Sequence, residues 1–212
     1  MRSCVCALLL WVAATGGVSA QAVPNAAARP ADKRDYHGGI VSPELPKPKF
    51  TLTDTSGTAF DFQAQTRGYV TLLFFGYTHC PDMCPMQMSI IAHALRQLPP
   101  ATASQFKVVF VTTDPARDTP QVLRVYLDHF NKSFIGLTGS PEAIDAAQRA
   151  ANLPSAQKGA MQHDGSYEVG HSAFVLAYTK DNLAHVIYPV GLKQEDWVHD
   201  MPLLVSETST MP

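Results

Sequence analysis

The sequence predicts an α/β domain in which a mixed central sheet is flanked by helices and preceded by an N-terminal hairpin. Apolar runs of strand length alternate with segments of helical periodicity. The runs at residues 70–75 and 107–113 are almost continuously apolar, as is typical of central strands covered on both faces. Two further strand-like runs, joined by a polar turn, precede a last helical segment. This order favours one mixed sheet rather than separate all-α and all-β parts.

The elements of the first half follow from turn residues and periodicity. Residues 50–53 and 59–62 flank the turn-forming segment 54–57 and predict the opening hairpin. After the strand at 70–75, apolar residues recur at steps of three and four, which predicts a helix that ends before two prolines. The members of this stripe are Met88, Ile91, Leu95 and Leu98, and the prolines are Pro99 and Pro100.

The second half continues the alternation. After the strand at 107–113, Thr119 as N-cap and Pro120 at the first helical position predict a helix that runs to Phe130. A thioredoxin-like fold satisfies the complete order. The remaining predicted elements are a short strand at 134–138, a helix from 140 to about 152, a long loop at 153–168, a hairpin of strands at 171–178 and 183–188, and a helix at 194–205.

The amino terminus predicts an exported protein. Arg2 provides a positive charge, residues 5–14 form a short apolar segment, and Val18-Ser19-Ala20 matches the pattern after which signal peptidase cuts. The apolar segment is shorter than the roughly 20 residues that a membrane span needs. We therefore expect a periplasmic protein, soluble after cleavage and without a transmembrane segment. The predicted organisation is a signal peptide at 1–20, a flexible lead-in at 21–45, a thioredoxin-like domain at 46–206 and a disordered tail at 207–212.

The composition and the number of cysteines exclude two classes of protein, namely nucleic-acid-binding proteins and disulfide-stapled scaffolds. The net charge of −2 gives no basic surface for nucleic acid, so we expect no nucleic-acid partner. Cys4 and Cys6 fall in the predicted signal peptide, which leaves Cys80 and Cys84 as the mature thiols. One closely spaced pair is not the pattern of a disulfide-stapled scaffold. It indicates a reactive dithiol or a metal-binding pair.

The position of the dithiol decides its expected chemistry. Cys80 and Cys84 follow a buried strand and open a helix, where the helix dipole and unpaired amides favour thiolate, so we expect lowered thiol pKa values. Positions four apart share one helix face. The two sulfurs can therefore close a disulfide or chelate an ion, and spacing alone does not choose. Soft thiolates select Cu(I), Zn or iron–sulfur clusters, and one added imidazole gives a set also found for oxidised copper.

A third ligand is therefore sought among the eight histidines. His171 begins a predicted strand directly after a loop, at the sheet end that faces the active turn in a thioredoxin-like fold. His37 lies in the predicted lead-in, and His199 lies in an amphipathic helix. We leave these two and the other five histidines out of the predicted site.

Three sequence blocks resemble the signature of the Sco/SenC family of copper chaperones, in the family order. They are Phe-Phe-Gly-Tyr-Thr-His-Cys-Pro-Asp-Met-Cys-Pro at 74–85, Thr-Asp-Pro-Ala-Arg-Asp-Thr-Pro at 113–120 and Tyr-Glu-Val-Gly-His-Ser at 167–172. The resemblance implies a thioredoxin fold in which Cys80, Cys84 and His171 bind copper as Cu(I) or Cu(II), and in which Arg117 and Asp118 shape the loop beside the metal.

The resemblance also implies a role for the protein, and the sequence departs from the family pattern at one position. The implied role is delivery of copper to an apo copper-site protein such as cytochrome c oxidase subunit II, in building its dinuclear copper centre. A periplasmic thiol reductant or copper donor is a further expected partner. Family members usually carry Asp before the ligand histidine, where this chain has Gly170, so we expect a polar contact to the imidazole to be missing.

The alternative function is a metal-independent periplasmic thiol–disulfide reductase, with Cys80 and Cys84 as its catalytic pair. Such enzymes usually have two residues between the cysteines and a cis-proline opposite them. This chain has three intervening residues and places His171 where that proline would be. The two functions are compatible, because the dithiol can also reduce a disulfide at the copper site of a partner before loading and become a disulfide itself. Structural zinc is disfavoured, since a closed site needs four ligands and three are evident.

Overall fold

The computed structural model describes residues 35–207. Its strands are β1 Gly39–Pro46, β2 Thr51–Asp54, β3 Ala59–Asp61, β4 Val70–Gly76, β5 Phe106–Thr112, β6 Ile135–Thr138, β7 Gln157–Lys158, β8 Val169–Gly170, β9 Phe174–Tyr178 and β10 Leu183–Pro189. Its helices are α1 Phe62–Gln65, α2 Met83–Gln97, α3 Pro100–Ala103, α4 Pro120–Asp128, α5 Pro141–Ala150 and α6 Gln194–Ser206. Eight strands form one sheet in the order β1-β10-β9-β4-β5-β6-β2-β3, and β7 pairs with β8 in a second, two-stranded sheet.

The centre of the large sheet is mixed, as predicted. β4 runs parallel to β5, with Phe75 opposite Val111, and antiparallel to β9, with Leu73 opposite Leu176. The parallel pair is connected through α2, as parallel neighbours require a crossover. Because β4 and β5 end at the same edge of the sheet, that edge receives the loops that follow both strands.

The two faces of β4 bury two separate cores, which explains its continuously apolar sequence. Every residue of β4 is buried. Phe74 belongs to the core that contains Met88 of α2. Phe75 belongs to the core that contains Ile144 of α5. Alternate side chains of a strand point to opposite faces, so a strand covered on both sides needs apolar residues at every position.

The helix starts agree with the predicted caps. The Thr119 hydroxyl accepts a hydrogen bond from the backbone N–H of Val122, and α4 begins at Pro120. The Ser140 hydroxyl accepts from the backbone N–H of Ala143, and α5 begins at the next proline. Such caps satisfy backbone donors that have no partner within the helix. Local sequence therefore predicts these helix boundaries well.

The predicted flexible lead-in is wrong at its carboxyl end. Residues 39–46 form β1, which pairs antiparallel with β10, with Ile40 opposite Val186 and Leu45 opposite Ala184. β1 is an edge strand whose side chains are mostly exposed, so it lacks the alternation that reveals a strand. Its prolines are tolerated because an edge strand needs only one side of its backbone for pairing. Predictions for residues 1–34 and 208–212 lie outside the described residues.

Three smaller differences concern the other segments. Glu207, predicted to start the disordered tail, is buried and accepts a hydrogen bond from the Tyr36 hydroxyl at 2.9 Å. The predicted loop at 153–168 contains β7. The strand predicted from residue 171 begins at Phe174, which leaves His171 in the short connection after β8. Within the described part of the chain, no helix is long and apolar enough to cross a membrane.

Candidate metal centre

The two cysteines lie in the loop between β4 and α2 and in the first turn of α2. Cys84 is the second residue of α2 and is fully buried, whereas Cys80 lies in the preceding loop and is 8% exposed. The backbone N–H of Cys80 donates to the carbonyl of Tyr77 at 3.3 Å, which turns the loop toward the helix. Both cysteines are free thiols.

The structure brings His171 to this pair. Nε2 of His171 lies 3.6 Å from Sγ of Cys84. The backbone N–H of Cys84 donates to Sγ of Cys80 at 3.5 Å, so the two sulfur-bearing side chains also lie together. Taking zinc bond lengths as a guide, a sulfur and a nitrogen ligand at a tetrahedral angle are about 3.6 Å apart. Cys84 and His171 therefore have the spacing of two ligands of one metal ion. In the described part of the chain, the ligand atoms of Cys80, Cys84 and His171 are not all within 4.8 Å of one another, so Cys80 must turn to join them.

The imidazole of His171 is oriented by its surroundings. Its Nδ1 lies 3.1 Å from the carbonyl oxygen of Ser172, so the Nδ1–H tautomer donates there and leaves the lone pair of Nε2 toward the thiol. The ring packs edge-on against Phe74 and Tyr77. The expectation that Gly170 leaves this imidazole without a polar contact is thus wrong, because a backbone carbonyl supplies one.

Burial sets the protonation of the site. Desolvation lowers the pKa of His171 below its ordinary value, which keeps the imidazole neutral and able to bind metal. Desolvation also raises the pKa of the Cys84 thiol far above its ordinary value. The expected lowering is therefore wrong for Cys84, because its apolar surroundings outweigh the helix dipole. Without metal, Cys84 is a thiol, and a bound metal must displace its proton.

A buried carboxylate holds the loop that precedes the cysteines. Asp118 is fully buried and accepts from the backbone N–H of Thr78 at 2.9 Å and from its hydroxyl at 2.6 Å. It also accepts from the Thr112 hydroxyl at the end of β5, at 2.7 Å. Two adjacent loops at one sheet edge are thereby fixed to each other. This is the loop-shaping role that the resemblance implies for Asp118.

Arg117 lies next to Asp118 in the loop after β5, and it joins that loop to the segment that carries His171. Its guanidinium forms an ion pair with Asp114 and donates to the carbonyl of Tyr167 at 3.1 Å. The Tyr167 hydroxyl donates back to Asp114 at 2.8 Å, and its ring lies under the guanidinium. Sequence reasoning did not assign Thr78 or Tyr167 a role, although both lie inside the quoted blocks, since a positioning contact is not visible without the fold.

A cavity of about 380 Å³ opens beside the thiols. Cys80 and His171 line it, together with Glu168 from the adjoining loop. Met83 and Met86, the thioethers nearest in sequence, are 42% and 41% exposed. Two of the predicted ligands, Cys80 and His171, thus line an open cavity, whereas Cys84 is buried behind it.

Comparisons with known proteins show the family of the chain. A family model described as SCO1/SenC matches residues 42–206. The chain is 40% identical over 125 residues to a relative from Stutzerimonas stutzeri, and the match spans 59% of this chain and 60% of that relative. The chain therefore spans less than two thirds of that relative's length.

Solved structures give the same result for the fold. The apo Sco1 protein from Thermus thermophilus is 31% identical with a TM-score of 0.72, covering 82% of this chain and 99% of that one. Bradyrhizobium japonicum ScoI with copper bound is 31% identical with a TM-score of 0.67, covering 76% of this chain and 99% of that one. The predicted thioredoxin-like fold and the sequence resemblance are both confirmed.

Proposed function

Because the chain belongs to the SCO1/SenC family, we propose that it is a periplasmic copper carrier that delivers copper to the dinuclear site of cytochrome c oxidase subunit II. In this proposal Cys80, Cys84 and His171 hold the copper. One observation carries the assignment: Nε2 of His171 and Sγ of Cys84, 87 positions apart in the chain, lie 3.6 Å apart. The copper-bound ScoI of Bradyrhizobium japonicum supports copper as the metal.

The ligand types suit both oxidation states of copper. Two soft thiolates favour Cu(I), and the neutral imidazole adds a nitrogen ligand of the kind that Cu(II) accepts. Cys84 and His171 are held by α2 and by the Ser172 carbonyl respectively, so neither ligand needs a large rearrangement to bind. The apolar surroundings of Cys84 keep its sulfur away from water. The site is therefore suited to a carrier that holds Cu(I) without losing it to solvent.

Delivery requires that the ion can leave. Cys80 is the less deeply buried of the two cysteines and lines the open cavity, so ligands of a partner reach the metal from that side. His171 lies in the connection between β8 and β9 rather than within a strand, which allows it to detach. Transfer then proceeds by exchange, in which each ligand of the carrier is replaced by a thiolate or imidazole of the recipient. The total number of metal–ligand bonds is maintained throughout.

Copper binding is tested by loading the reduced protein with Cu(I) or Cu(II). We expect one Cu(I) per chain by native mass spectrometry, and a Cu(II) spin-resonance spectrum that includes a thiolate-bound species with nitrogen coupling. His171→Ala should weaken Cu(II) binding more than Cu(I) binding, and Cys84→Ser should impair both. His93→Ala, at an exposed position of α2, is the matched control. An unchanged Cu(II) spectrum in His171→Ala removes that residue from the site.

Delivery is tested in the cell. Deleting the gene should lower cytochrome c oxidase activity, and excess copper in the medium should restore it. Complementation with the His171→Ala gene should fail at low copper and succeed at high copper. Loss of oxidase activity that copper does not restore would argue against a supply role.

A second candidate function is thiol–disulfide exchange without metal. It is favoured by the two free thiols, with Cys80, which lines the cavity, next to Cys84. The raised pKa of Cys84 disfavours it, since thiolates are the attacking species. Turnover of a disulfide substrate in metal-free buffer, unaffected by added copper, would favour the reductase.

A further inference from the structure

A second cluster of potential ligands lies where the segment before β1 meets α6. It consists of Asp35, His37 and His199, all exposed, and one ligand atom from each lies within 4.8 Å of the others. The cluster shares no residue with the thiol site. Its two histidines are 162 positions apart, so only the fold brings them together.

Each imidazole of the cluster is held by a carboxylate. Nδ1 of His37 lies 2.7 Å from Asp196, and Nδ1 of His199 lies 2.8 Å from Asp200. The two rings stack in parallel, with centroids 4.2 Å apart. Metal-binding histidines commonly donate one ring N–H to a carboxylate, which orients the ring and strengthens the other nitrogen as a ligand. Both rings have this arrangement, and Nε2 of each is left to bind metal.

The backbone beneath the cluster is fixed. The Asp200 carboxylate is fully buried and accepts the backbone N–H of His37 and of Gly38, each at 3.0 Å. A Cβ at Gly38 would lie 2.4 Å from Cγ1 of Val186, so the chain passes directly against β10 here. The position of His37 relative to α6 is therefore set by buried contacts, although its ring reaches solvent.

Charge also favours a cation at this place. Asp35, Asp196 and Asp200 contribute three carboxylates, and the two imidazoles are uncharged when deprotonated. Lys193 is near, but its ammonium pairs with Glu195 on the surface. The cluster thus carries an excess of negative charge that a divalent ion would offset.

We propose that Asp35, His37 and His199 form a second metal site, which binds a divalent imidazole-seeking cation through two ring nitrogens and one carboxylate oxygen. Imidazole ligands suit Cu²⁺ and Zn²⁺, and Cu²⁺ binds such sets more tightly. Two ligands on opposite sides of one such ion are at most about 4.4 Å apart. The exposed rings must therefore rotate out of their parallel stack, so that both Nε2 lone pairs point at one ion. The remaining positions take water. Bound metal would tie the amino-terminal segment to α6.

The test uses the exported chain without an affinity tag and with Cys80→Ser and Cys84→Ser, which removes the thiol site. Titration with Cu²⁺ or Zn²⁺ should give one bound ion by native mass spectrometry, and Cu²⁺ should show coupling to two nitrogens. His37→Ala and His199→Ala should each weaken binding at least about tenfold, as should loss of the orienting carboxylate in Asp196→Asn. Added Zn²⁺ should raise the melting temperature of the parent and not of these variants.

His93→Ala is the matched control, because His93 is exposed on α2 and its Nδ1 faces a backbone carbonyl of its own helix. It should keep full affinity. Absence of a bound ion in the cysteine-free chain, or equal weakening by His93→Ala, overturns the proposal. If that chain does not fold, Zn²⁺ titration of the wild-type protein is followed by NMR of the histidine rings. Ring signals of His37 and His199 that do not move then overturn the proposal, and their selective shift supports it.

Discussion

Asp118 holds Thr78 by two hydrogen bonds, one to its backbone N–H and one to its hydroxyl, across 40 positions of sequence. Cys80 is two residues further along. The carboxylate therefore fixes the course of the loop that presents the first sulfur, and it does so from a fully buried position at the end of β5. A ligand's position thus depends on a residue that does not touch the metal.

Asp118→Asn should weaken both the fold and the copper site. The amide would place an N–H group against the donors of Thr78 or Thr112, at a cost of about 1–3 kcal/mol in the free energy of unfolding. Cu(I) affinity should fall about tenfold, as is common when an outer contact of a ligand is lost. Urea unfolding and competition with a Cu(I) chelator measure these effects. Asp128→Asn, which removes an exposed ion pair with Arg124, should change stability by less than about 1 kcal/mol.

Gly76→Ala should displace Cys84. A Cβ at this position would lie 2.7 Å from a ring carbon of Phe74 and 3.0 Å from Sγ of Cys84. Overpacking of this kind costs about 1–3 kcal/mol, and the sulfur must shift. Gly170→Ala is the control, since its Cβ would meet only a carbonyl at 3.8 Å. Equal copper affinities for the two variants, measured by chelator competition, would contradict the prediction.

Gly170→Asp should change Cu(II) affinity only slightly. The residue has space for a side chain, but Nδ1 of His171 already has the Ser172 carbonyl as its partner. We therefore expect less than the tenfold gain that a new outer contact can give. Cu(II) titration followed by absorbance checks this. A tenfold or greater gain would show that the carbonyl does not fill the role of the family's aspartate.

Copper affinity should rise with pH. The pKa of Cys84 is raised in the metal-free protein, so Cu(I) binding must release its proton throughout the neutral range. Each displaced proton makes the apparent affinity increase about tenfold per pH unit. Chelator competition between pH 6 and 8, with proton release measured in weakly buffered solution, tests this. An affinity independent of pH would mean that Cys84 is already a thiolate.

Stability should depend on Lys47 at alkaline pH. Burial lowers the pKa of Lys47 from 10.5 to about 8, although its ammonium donates to Thr66 and Thr71. Below pH 8 both folded and unfolded chains hold the proton, and the full cost of burying the charge is present. Between pH 8 and 10.5 only the unfolded chain holds it, so this contribution to stability rises with pH.

Lys47→Met should remove that rise. The stability difference between wild type and variant should change by about 2 kcal/mol from pH 8 to pH 10, in favour of the wild type. Taking the difference between the two proteins cancels the titration of tyrosines and of Cys84. Urea unfolding at a series of pH values measures it. A difference that stays constant with pH would show that the Lys47 ammonium is not desolvated.

Sequence predicted the elements whose signals are local. The apolar run of β4 and the Thr119 and Ser140 caps depend on neighbouring residues, and their positions agree with the structure to within two residues. β1 was missed because an exposed edge strand carries no alternating pattern. The thiol pKa of Cys84 was misjudged because it depends on tertiary burial, which outweighs the helix dipole.

The site shows the same difference between features set by neighbouring residues and features set by the fold. The spacing of Cys80 and Cys84 predicts a shared helix face, but Cys80 lies in the loop before α2, so only Cys84 is on the helix. The approach of His171 depends on the pairing of β4 with β9. Its place at the start of a predicted strand after a loop indicated it, and the family resemblance then implied that it is a ligand. His37 and His199 meet only because β1 lies against β10 beside α6. No local pattern connects them.

β10 is an interior strand only because β1 pairs with it. If residues up to Pro46 were cut away by a protease, the N–H and C=O groups along one side of β10 would lose their partners. An unpaired sheet edge of this kind can pair with strands of other molecules, which leads to aggregation. Shortened versions of the protein intended for crystallisation or spectroscopy should therefore begin before Gly39, even though nothing in the thiol site requires it.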